Sequence, residues 1–186
     1  MLLVALAEGG LVPVALAVGA LLHVAPFATL AWNPRGLAAG VAATAPLLLL
    51  LRWCLRARVG PIARLVRMVE QRAAPLFAGG SVGSVALVAA LAGVGEEALF
   101  RGVVQTALLD RLPAWAAVAA TGVLFGLAHF LSLSYALLAS LVGAYLGWLH
   151  LATGNLLAPI LTHALYDFVA LRLLLDVKPM PSSSVL

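Results

Sequence analysis

Charged side chains are scarce in this chain of 186 residues: 10% are Asp, Glu, Lys or Arg, against 64% hydrophobic. That scarcity excludes a soluble globular domain, because a fold of this size could not bury so much apolar surface. Cysteine is nearly absent as well. The single Cys54 excludes an intramolecular disulfide and a cysteine-based metal cluster, and its setting, Arg52-Trp53-Cys54-Leu55-Arg56, fits a filler at a membrane edge. The net charge of +4 is no nucleic-acid signature, since the basic residues sit beside apolar segments instead of alternating with aromatics. There is no internal repeat of fixed period and no soluble domain. With a mean hydropathy of +1.11, what remains is an all-α, polytopic membrane helical bundle.

Apolar runs over about residues 9–32, 37–55, 81–108, 114–131, 133–150 and 156–175 predict about six transmembrane helices. The first ends or is interrupted near Pro26, holds His23 as a structural histidine, and is followed by the turn Asn33-Pro34-Arg35-Gly36. Met1–Ala7 has no basic n-region, so a cleaved signal peptide is not expected. From the end of the second run to the start of the third stand Arg52, Arg56, Arg58, Arg64, Arg67 and Arg72, with Ile62, Leu65, Val66 and Val69 at helical spacing. Such a segment predicts one interfacial amphipathic helix on an anionic cytoplasmic leaflet, with membrane lipids as its partner. A cytoplasmic basic loop puts both termini in the cytoplasm, the C-terminal one with Lys178. Asn155 is a candidate N-cap for the last span. The chain divides into residues 1–78, two helices and the basic segment; 79–176, a four-helix membrane core; and 177–186, a flexible tail.

Against this background the stretch Gly93–Gly102 stands out, since it holds Glu96, Glu97 and Arg101. A charged side chain at the centre of a membrane helix costs roughly 2.5–3.5 kcal/mol on insertion scales, so such a cluster needs partners and a use. Glu97 and Arg101 are four apart and face the same way, while Glu96 is turned by about 100°. Phe125 and His129 share a face of the fourth span, and His163 and Asp167 share one of the sixth. Carboxylates and imidazoles on three helices provide what amide hydrolysis needs, a base for water and groups that polarise a carbonyl. They would equally serve a proton or ion relay. Simple spans leave a conflict of depth. His129 falls near a helix end, while Glu96 lies about 20 Å into its own helix, which calls for a break near Gly93 and Gly95 or a later start of the third span, with Ser132 to Ser134 sunk below the surface.

Glu96-Glu97-Ala98-Leu99-Phe100-Arg101 matches an EExxxR motif, Phe125–His129 matches FxxxH, and His163–Asp167 matches HxxxN/D. In this order and spacing they resemble the CAAX protease and bacteriocin-processing (CPBP, or Abi) family of intramembrane endopeptidases, over about residues 90–170. The resemblance implies Glu96 as the general base and His129 as its partner in orienting water. It puts His163 and Asp167 at the oxyanion, with Glu97, Arg101 and Phe125 in support. Asp167 stands where eukaryotic members carry Asn; a carboxylate donates to an oxyanion only when protonated, and the alternative role for Asp167 is to orient His163 or a water. The family was formerly classed as metalloproteases and is now read as glutamic-type. No cofactor is therefore expected, and zinc on Glu96, His129 and His163 is the alternative, although no HExxH is present. The implied substrate is a hydrophobic peptide or membrane-protein segment, of which a prenylated tail is one member. The compact chain suggests a bacterial inner (plasma) membrane. A catalytically inactive immunity or binding protein and a proton-coupled carrier are the competing readings.

Overall fold

The computed structural model describes residues 1–77 and 79–176, so the expected tail at 177–186, with Lys178, lies outside the described residues. Among them are seven helices and no strand: α1 (Leu2–Leu22), α2 (Pro34–Arg56), α3 (Gly60–Phe77), α4 (Val82–Leu109), α5 (Ala114–Ala128), α6 (Leu133–Thr153) and α7 (Leu157–Asp176). Four of these, α1, α2, α4 and α6, are long and apolar enough to cross a membrane. The fold is a helical membrane bundle. Side-chain caps mark several starts: Asn33 accepts from Gly36 N at 2.7 Å with Pro34 in the first turn, Ser81 accepts from Ser84 N, and Ser132 accepts from Tyr135 N.

The first helix differs from the run expected at 9–32. It spans Leu2–Leu22 and stops where His23 turns left-handed at φ 57°, so His23 caps the helix end, exposed, instead of lying inside it. In the connection that follows, Asn155 supplies the backbone partners of Ala31. Its Oδ1 accepts from Ala31 N at 3.0 Å and its Nδ2 donates to Ala31 O at 2.8 Å, while the same Oδ1 caps Leu157 N. One asparagine thus ties the α1–α2 connection to the turn before α7.

In the packing, α1 lies on α4, α2 on α7, α4 on α7 and α5 on α6. Helices α1 and α2 therefore pack directly against helices of the later segment. The basic helix α3 buries Ala63, Leu65 and Phe77 and leaves Arg64, Arg67 and Arg72 exposed, as an amphipathic segment does.

The predicted break at Gly93 and Gly95 is absent: α4 runs through both. These glycines are contact points, since a Cβ on Gly93 would stand 2.9 Å from Ile160 O and one on Gly95 2.6 Å from Glu8 O. The departure from α geometry comes later, as a π-helical segment over Ala98–Gln105, at whose end Thr106 Oγ1 donates to the Arg101 carbonyl at 3.1 Å.

Candidate active site

The depth conflict is resolved by the shortness of α5. Measured from the α4–α5 turn, Glu96 lies about 20 Å back along α4 and His129 about 22 Å along α5, so the two reach the same level. A fourth span drawn as far as residue 131 and ending at a membrane surface hides this. Glu96 Oε2 and His129 Nε2 are 3.4 Å apart. The Phe125 carbonyl can only accept, so His129 Nδ1, 2.9 Å away, carries a proton and donates to it. Nε2 is then left to share a proton with Glu96.

Glu97 is fully buried and has a different set of partners. Arg101 donates Nη1 to Glu97 Oε1 at 2.8 Å and Nη2 to the Gly143 carbonyl at 2.6 Å. His163 Nδ1 donates to the same Glu97 oxygen at 2.7 Å, and its Nε2 lies 3.4 Å from Asp167 Oδ2. The resemblance pairs His129 with Glu96 and puts His163 and Asp167 at the oxyanion without assigning His163 to either glutamate. The structure gives His129 to Glu96 and His163 to Glu97, because the second glutamate faces α7.

Phe125, almost fully buried, joins these groups. Its ring stacks on His129 at 4.4 Å between centroids, meets His163 edge-on at 5.9 Å, and lies 4.7 Å from the Arg101 guanidinium carbon. The seven residues singled out in the sequence, Glu96, Glu97, Arg101, Phe125, His129, His163 and Asp167, therefore form one connected cluster.

The cluster opens on a cavity of about 300 Å³, whose walls are largely apolar side chains from α1, α2, α3, α4, α6 and α7. Glu96, His129, His163 and Asp167 line it. Within it Glu96 Oε2 is buried and without a hydrogen bond, its side chain only 8% exposed. Sequence reasoning missed Glu8, which lines the same cavity from α1. A lone carboxylate in an apolar helix was its available signal. It also missed Gln105, whose amide nitrogen donates to the Gly147 carbonyl, and His150, whose Nε2 pairs with Thr29 Oγ1 at 2.8 Å.

A zinc ion on Glu96, His129 and His163 would need all three to converge. His163 instead engages a carboxylate at each nitrogen, and among the described residues no three His, Cys, Asp or Glu side chains are grouped to hold a metal ion. As arranged, these residues do not form a metal cage.

Residues 78–169 match a family model described as type II CAAX prenyl endopeptidase, Rce1-like. Neither a curated protein nor a solved structure matches the chain. The matched segment contains all seven residues of the cluster, and Glu8 lies outside it.

Proposed function

Since residues 78–169 belong to the Rce1-like family of CAAX-type intramembrane endopeptidases, we propose that the chain is itself a glutamic-type endopeptidase cutting hydrophobic or membrane-associated peptides. The observation that carries this reading is the Glu96–His129 pair at 3.4 Å, open to an apolar cavity of about 300 Å³. Glu96 takes a proton from water, and the hydroxide formed attacks the peptide carbonyl carbon. His129 receives that proton through Nε2 and delivers it to the leaving amine as the C–N bond breaks. When its Nε2 carries a proton, His163, oriented through Nδ1 by Glu97, donates to the oxyanion. Asp167 steadies that nitrogen. Apolar walls strengthen each of these interactions by excluding water.

The proposed setting is a bacterial inner membrane with both termini cytoplasmic. The test of the reaction is cleavage of membrane peptides by the purified chain in liposomes. Glu96→Gln is nearly isosteric and is expected to lower the rate by about a hundredfold or more while the protein stays folded and inserted. Full activity in that variant overturns Glu96 as base. Activity that is lost to a chelator and restored by zinc overturns the glutamic mechanism in favour of a metal one.

A further inference from the structure

The cavity wall carries three carboxylates, Glu8, Glu96 and Asp167, and two imidazoles, His129 and His163. Behind it Glu97 and Arg101 neutralise one another. The carboxylates outnumber the imidazoles by one. Glu96 has His129 and Asp167 has His163, whereas Glu8 makes no hydrogen bond or ion pair with any described residue.

Glu8 is held close to the reacting groups by backbone packing. Its carbonyl oxygen is pressed against Gly95, the residue before Glu96, where a Cβ would approach to 2.6 Å. Val4, four residues earlier on the same face of α1, lines the cavity too, and the Met1 amino group donates to Leu76 O at 3.2 Å, fastening the start of α1 to the end of α3. The Glu8 carboxylate accordingly interacts electrostatically with Glu96, Asp167, His163 and His129. The buried Glu96 Oε2 in the same cavity has His129 Nε2 beside it at 3.4 Å, whereas the Glu8 carboxylate has no donor of its own among the described residues. A carboxylate without a partner in an apolar cavity is costly unless something cationic or hydrogen-bonding joins it.

We propose that Glu8 is a specificity-determining residue that binds a basic side chain of the substrate beside the scissile bond, so that the preferred substrate is a hydrophobic peptide carrying a Lys or Arg there. This rests on the endopeptidase reading. The ammonium or guanidinium supplies the missing positive charge, and the apolar walls accept the flanking aliphatic residues. Glu8 lies outside the matched segment, so this preference comes from the N-terminal helix and not from the family core.

The test uses the full chain in liposomes and quenched-fluorescent peptides rich in Leu and Val, with one Lys, norleucine or Glu stepped through successive positions. The kcat/KM of the best Lys peptide is expected to exceed that of its norleucine counterpart by about tenfold, as a desolvated charge-assisted hydrogen bond implies, chiefly through KM. Glu8→Gln should erase that ratio, and Glu8→Lys should turn the preference toward the Glu peptide. Binding of the same peptides to the Glu96→Gln chain, followed by fluorescence anisotropy, gives a second readout that needs no turnover. Cleavage without a Lys preference, or a Lys preference that survives both Glu8 substitutions, overturns the inference and leaves the endopeptidase standing. Absent cleavage, with Lys-selective binding that Glu8→Gln abolishes, supports the cation site and overturns the endopeptidase. Absent cleavage with unselective binding overturns both.

Discussion

His163 Nδ1 donates to Glu97 Oε1 across 2.7 Å, on the same oxygen that receives Arg101 at 2.8 Å. Two neighbours in sequence therefore live in different circuits: Glu97 anchors α7 and its own helix, and Glu96 faces the cavity with His129. The distinction can be measured.

Replacing Glu97 with Gln leaves Arg101, which is fully buried, without its counter-charge. Breaking one side of a buried pair costs about 3 kcal/mol or more, so Glu97→Gln should lower the unfolding midpoint in detergent strongly, and Glu96→Gln much less. Equal losses for the two would show that the glutamates share one structural role.

Phe125 touches His129, His163 and the Arg101 guanidinium at once. Phe125→Ala should destabilise the bundle by about 3 kcal/mol and depress cleavage beyond what the loss of folded protein explains. Thermal unfolding paired with the activity of the folded fraction separates the two effects.

A methyl group at Gly95 would come within 2.6 Å of Glu8 O and 2.9 Å of Leu11 Cβ. Gly95→Ala should push α1 away at a cost of about 2 kcal/mol. Weaker cross-linking between cysteines introduced on α1 and α4, measured in a Cys54→Ser background, is the expected sign.

For orientation in the bilayer, exposed positions on the α1–α2 connection and on α3 serve as reporters. In the Cys54→Ser background an impermeant maleimide should label Trp32→Cys in intact cells and Arg64→Cys only after the membrane is opened. The opposite pattern would invert the proposed topology.

Spacing made some of this readable and not the rest. Glu97 and Arg101 could be paired from sequence because a separation of four residues within one helix fixes their distance, and the same holds for His163 and Asp167. Apolar runs likewise located α2 and α4–α7 to within a few residues. Which glutamate each histidine meets depends on how α5 and α7 are rotated against α4, and no periodicity along a single helix records that. The end of α1 escaped for another reason. A left-handed residue at His23 and a backbone held by Asn155, more than a hundred residues away, leave no local trace in an apolar run. Glu8 was overlooked because one acid among aliphatic residues says nothing of which helix it faces.

Arg101 also bears on the order in which the protein is made. Its guanidinium needs Glu97, which precedes it in the chain, and the carbonyl of Gly143, which is synthesised 42 residues later. When α4 leaves the ribosome, half of that arrangement does not yet exist. The guanidinium is fully partnered only once α6 has followed, so a chain halted after α5 would strand a half-partnered cation at the point where the site is meant to form.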